Sequence, residues 1–187
     1  MMPGIYDGEG NVIQFTSAGS AFSSSSASSA AGNPCPRCGF HSGLSGVIST
    51  CVDCFVYDDG LCLFEYDVSI PYFLAKVRGG TCSIASSDSR EVVLQRARYL
   101  LKNGFGNYSL FGKNCEDFAI YCKTGRILIG EPNRIGQTIV LSSFMLFTFG
   151  LGGVPAAIAY SRLKNEFARG SEAKIPVEIL VSRLLSR

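Results

Sequence analysis

Hydrophobic and polar positions repeat with two different periods along this chain, and the change of period marks its elements. In GIYDGEGNVIQFT, residues 4 to 16, two short β-rich runs flank the turn-forming DGEGN, and alternation puts Val12 and Gln14 on one face with Ile13 and Phe15 on the other. A hairpin is predicted there. The dense apolar run LCLFEY from Leu61 to Tyr66, followed by IPYFLAKV and TCSI, predicts one or two more strands and so a small antiparallel sheet. At Asp88 the period lengthens: Val93, Ala97, Leu100 and Leu101 form a helical stripe, with Asp88 and Glu91 spaced as a capping box and Gly104 as the stop. A second helix runs from Asn114, a residue type that caps helix starts, to Gly125. On it Cys115, Phe118, Ala119 and Cys122 fall at i, i+3, i+4 and i+7, so if Phe118 packs on the sheet, Cys115 points toward the sheet as well.

Two stretches fit neither period. Residues 17 to 33 are mostly Ser, Ala and Gly, which predicts a flexible linker. Residues 135 to 161 carry no charge and are bracketed by Arg134 and Arg162; that exceeds the roughly 20 residues that span a bilayer core. The glycines and Pro155 of GLGGVP should bend any helix there, so a kinked span, a shallow hairpin or a buried core helix are the alternatives. After Pro176, VEILVSRLLSR reads as a short amphipathic helix with basic ends. The expected organisation is an α+β domain over 1–130, with residues 34–60 as a cysteine-rich insert, and an apolar, membrane-associated C-terminal region over 131–187.

Composition sharpens this picture. The 187 residues suffice for one domain with appendages, and 47% hydrophobic residues supply a core. A net charge of +2 gives no field for a polyanion, which removes nucleic acid from the expected partners. Only 17% of residues are charged and the mean hydropathy is +0.22, both pointing to a segment that avoids water. Eight cysteines stand against a single histidine, His41, and MMPGIYDGEG holds neither a basic nor an apolar leader region. The expected setting is intracellular and reducing, at the cytoplasmic side of a membrane, where closely spaced cysteines hold metal or do chemistry.

Cys35-x2-Cys38 is followed after twelve residues by Cys51-x2-Cys54, and two such knuckles supply four thiolates to one structural zinc ion. Ordinary buried or redox-active thiols are the competing reading. His41, between the knuckles, is expected on the surface because four thiolates already complete the site. Cys115, in Asn114-Cys115-Glu116-Asp117-Phe118, sits where the positive end of a helix dipole favours thiolate, while Glu116 and Asp117 oppose it. The alternative for Cys115 is a core thiol on an apolar stripe.

The stretches GIYDGEGNVIQFT, CPRCG, GVISTCVDCF, LCLFEYDVSIPYFLAKVRGGTCSIASSD and LLKNGFGNYSLFGKNCEDFAIYCKTG resemble the plant branch of the lecithin:retinol acyltransferase-like, or NC-domain, family from about Gly4 to Gly136. The resemblance implies a permuted papain-like α+β fold in which Cys115 matches the nucleophile of phospholipid acyl transfer through a thioester. It also implies a histidine two residues before the GIY strand and another just before the Phe-Thr pair. Those positions hold Met2 and Gln14, neither of which takes a proton from a thiol at neutral pH. An upstream strand that the family carries is expected to be missing here, through truncation or degeneration. Two functions follow: a catalytically impaired member acting as a lipid- or membrane-associated regulatory protein, or a Cys115 thiol acyltransferase or phospholipase whose base comes from elsewhere.

Overall fold

The computed structural model describes residues 3–18, 34–41, 43–56, 60–76, 82–109, 113–127 and 154–186. Met2, nearly all of the Ser/Ala/Gly linker and residues 135–153 of the uncharged run lie outside that set.

The predicted hairpin is present as β1 (Ile5–Tyr6) and β2 (Asn11–Thr16), antiparallel, with Ile5 opposite Ile13 and Tyr6 opposite Val12. Asp7 organises its turn by accepting the backbone N–H groups of Glu9 at 2.7 Å and Asn11 at 3.0 Å. A third strand, β3 (Gly46–Cys51), rises inside the cysteine-rich stretch, where the spacing reading had found only metal knuckles. Val47, Ile48 and Thr50 are β-branched and suit a pleated surface. β3 pairs antiparallel with β2 along its whole length, from Asn11 opposite Cys51 to Thr16 opposite Gly46, giving the order β1-β2-β3. The short helix α1 (Val52–Val56) follows at once and carries Cys54.

Residues 61–82 depart from expectation. Among the described residues LCLFEY and TCSI contribute no strand, only an isolated parallel bridge between Glu65 and Cys82. IPYFLA is helix α2 (Ile70–Ala75). Ser69 caps it, accepting the Tyr72 N–H at 3.4 Å, and Pro71 in the first turn pre-sets a helical φ; these local devices outweigh the β propensity of the run.

The two long-period helices form as read. In α3 (Arg90–Asn103) Val93, Ala97 and Leu100 are buried, whereas Leu101 is exposed at the stripe's edge. Its N-cap is Ser89 rather than Asp88, and no capping box forms; Asp88 instead pairs with Arg96 at 2.7 Å and with Lys174. Helix α4 (Cys115–Thr124) begins at Asn114 and ends on Gly125 at φ +71°, a left-handed cap that favours glycine. Two helices complete the described chain, α5 (Val154–Ser171) and α6 (Val177–Leu185).

The core lies between β2 and the pair α3 and α4. Phe15 of β2 meets Phe105 edge-on at 5.2 Å between ring centres, Tyr108 at 5.0 Å and Phe118 of α4 at 6.4 Å. Each such buried aromatic stabilises by about 1.5–3 kcal/mol relative to exposure. Val177, Leu180 and Val181 of α6 join the same core, and the Tyr121 hydroxyl donates to the Ile175 carbonyl at 2.8 Å. Among the described residues no helix is long and apolar enough to cross a membrane.

Candidate functional sites

Cys115 opens α4, so its position is set by the helix cap. The Asn114 side chain accepts the N–H groups of Glu116 at 2.9 Å and Asp117 at 3.2 Å, and an Asp117 oxygen accepts the Asn114 N–H at 3.3 Å. This reciprocal box fixes the first turn and sets the positive end of the helix dipole at the thiol. Phe118, Ala119 and Cys122 of the same stripe are buried under the sheet, and Cys115 is half-buried at its end. The thiol reaches β2 through an intermediary: the Tyr108 hydroxyl lies 4.0 Å from Sγ, and the Tyr108 ring packs on Phe15.

The surroundings discourage ionisation. Burial pushes the Cys115 thiol above its ordinary value and the Glu116 charge adds to this, while the Tyr108 hydroxyl works the other way. Tyr108 is itself pushed up to about 12, first by burial and then by the neighbouring thiol. Sequence reasoning missed Tyr108, although it lies only seven residues before Cys115. It also missed Arg169 of α5, which reaches Asp117 at 3.0 Å and Glu116 at 3.5 Å with its side chain 10% exposed. Asp117 is raised by burial, against the pull of Arg169.

Gln14 lies on the β2 face opposite Phe15. It is buried, its Nε2 donates to Thr50 Oγ1 of β3 at 3.2 Å, and its Oε1 is left without a partner among the described residues. No hydrogen bond joins Gln14 to Cys115 among the described residues. His41 is exposed on the knuckle loop, where its Nδ1 accepts the Gly43 N–H at 3.3 Å.

Cys35, Cys38, Cys51 and Cys54 converge, their sulfur atoms all within 4.8 Å of one another. Cys51 ends β3 and Cys54 sits on α1, while Cys35 and Cys38 lie on a tight loop in which Cys35 N–H donates to Phe40 O at 2.8 Å and Gly39 N–H to Cys35 O at 2.7 Å. A tetrahedral tetrathiolate with metal–sulfur bonds of about 2.3 Å needs sulfurs roughly 3.8 Å apart. Cys38 and Cys54 stand at 3.7 Å, so the donor set could hold a metal ion. The N–H groups of Cys38 and Arg37, joined by the Cys54 side chain, hold the Cys35 thiol down to about 6, and burial pushes Cys54 up.

A cysteine opening a capped helix beside a small antiparallel sheet, with a CxxC pair that runs from the end of β3 into α1, defines an α+β domain with two thiol sites. The family model for lecithin retinol acyltransferase (LRAT) matches residues 3–128, and the chain belongs to that family. It is 38% identical to Protein LEAD-SENSITIVE 1 of Arabidopsis thaliana over 98% of this chain and 81% of that protein. No solved structure matches.

Proposed function

We propose that this protein is an LRAT-domain lipid- or membrane-associated regulatory protein whose Cys115 lacks the proton transfer that acyl chemistry requires. One observation carries the reading. Gln14 occupies a position where the family resemblance implies a histidine, and its amide is committed to Thr50 while its oxygen has no basicity to offer a thiol. Met2 stands at the other such position, and the chain's single histidine belongs to an exposed loop of the knuckle. A thiol without its base loses roughly 10²- to 10⁴-fold in rate. The family resemblance supports reading the domain as a permuted papain-like fold, and the uncharged length of residues 135–161 supports a membrane contact through that segment, on the cytoplasmic side of a membrane.

Zinc is the metal we assign to the four cysteines, in a structural role: it ties the knuckle loop to the end of β3 and to α1. A thiolate-only site also favours other soft cations, and the name of the Arabidopsis relative makes lead one to titrate beside zinc. A second reading, acyl transfer through a Cys115 thioester, is favoured by one feature, the retention of the nucleophile position with its complete helix cap.

Flotation of the full chain with phospholipid vesicles tests the first reading. The protein should rise with the vesicles and leave the lipid intact. Release of fatty acid that disappears in a Cys115→Ser variant would establish the second reading instead.

A further inference from the structure

Two carboxylates flank Cys115 on its own helix, and either one left uncompensated in a half-buried site would oppose a thiolate. Arg169 meets both. Its guanidinium lies 3.0 Å from Asp117 Oδ1, 3.5 Å from Glu116 Oε1 and 3.6 Å from Glu166 Oε1. Glu166, one turn earlier on α5, is braced in turn by the Ser83 hydroxyl at 2.5 Å and the Ile84 N–H at 3.1 Å. The arginine is therefore held from behind and presented to the first turn of α4.

The Asp117 carboxylate divides its oxygens. One accepts from Arg169, and the other accepts the backbone N–H of Asn114, the residue before Cys115. Arg169 thus bears on both the charge beside the thiol and the cap that aims it. Buried ion pairs are weak devices for stability, since the cost of desolvation offsets most of the attraction. A cationic side chain carried from α5 to this one turn has its clearest use in the two carboxylates that follow Cys115.

We propose that Arg169 is a positioning residue for Cys115, acting through Glu116 and Asp117, so that α5 completes the Cys115 site and sets the reactivity of its thiol. Tyr108 from the preceding loop and Glu116 from α4 bear on Cys115 directly, and Asp117 holds its cap; Arg169 of α5 faces Glu116, Asp117 and Glu166, Tyr66 faces Glu116, Glu166 and Arg169, and β2 presents the uncharged Phe15. Removing Arg169 leaves Glu116, Asp117 and Glu166 without their guanidinium partner, with Glu116 next to the thiol in sequence. The direction already seen at Cys115, upward with Glu116 contributing, is then accentuated. The inference goes beyond the proposed function because it concerns thiol reactivity whether or not lipid is turned over.

Iodoacetamide labelling of the full-length, zinc-loaded chain across about pH 6 to 10 tests it, with Cys115 separated from Cys122 by fragment masses. Arg169→Gln should raise the labelling midpoint by about one unit, making Cys115 roughly tenfold slower to react near neutral pH, while Arg169→Lys keeps most of the native profile. Glu116→Gln in the otherwise native chain should lower the midpoint and speed labelling about threefold. That variant keeps Arg169 with Asp117 and Glu166, so it tests the Glu116 link even if Arg169→Gln does not fold, and an unchanged Arg169→Gln midpoint overturns the proposal whatever Glu116→Gln shows. An unchanged Glu116→Gln midpoint, or an Arg169→Gln rate reduced equally at every pH, would overturn the proposal.

Discussion

Cys115 and Cys35 are chemically identical side chains in opposite surroundings. Cys115 is half-buried, flanked by Glu116 and Asp117, and its thiol is pushed up by burial. Cys35 lies on an open loop where the N–H groups of Cys38 and Arg37 converge on the sulfur and hold it down to about 6. The residue that resembles a nucleophile is thus the one kept protonated, and the residue poised as thiolate is the one shared with three other cysteines. Neighbours decide what a cysteine does. Here they bring four sulfurs together in one region and leave the thiol of the other half-buried beside Tyr108.

The largest effect expected from breaking this comparison falls on the metal region. Zinc titration should reach about one equivalent per chain with binding energy on the order of 10 kcal/mol, and Cys35→Ser, Cys38→Ser together should abolish it. Hydrogen exchange should then quicken along β3, which ends on Cys51, while α4 stays protected. Loss of protection in both regions at once would show that they are not separable.

The converse change truncates the support of α4. Phe118 is fully buried against Phe15 and Phe105, so Phe118→Ala should cost about 3–5 kcal/mol in urea unfolding without altering zinc stoichiometry. A smaller difference separates the thiols directly. In reduced, zinc-free protein at pH 7, the Cys35 thiol is held down to about 6 while burial pushes Cys115 up, so iodoacetamide should label Cys35 at least about tenfold faster. Comparable rates would erase the contrast.

The smallest effect serves as a control away from both thiol sites. Burial tends to raise the Asp88 carboxyl, but hydrogen bonds from Lys174 and Arg96 outweigh it and hold the group below its ordinary value. Its contribution is therefore present above the unfolded value, near pH 4, and is lost as pH falls through the folded one. Asp88→Asn should cost about 1 kcal/mol at neutral pH, with the difference vanishing in acid and no change in Cys115 labelling.

How legible these features are in the sequence follows from how local their causes are. Helix α4 could be read because its cap, its stripe and its terminal glycine lie within a dozen residues and each imposes the same period. The cysteine convergence was legible in the CxxC spacing for the same reason. β3 escaped because GVISTC is short and its pairing partner, β2, lies across a long Ser/Ala/Gly stretch. IPYFLA was misread because its β-rich composition spoke louder than Ser69 and Pro71, which fix a helix start. Arg169 had no local signal at all: its bond to Asp117 joins residues 52 apart, and only folding brings them together.

The measurement that bears most directly on the central claim, that Cys115 keeps its place but lacks its base, is the intact mass of the full chain after incubation with a phospholipid acyl donor. The account predicts an unmodified mass for the native chain. A hydroxylamine-sensitive acyl thioester forming on Cys115 of the native chain would contradict it.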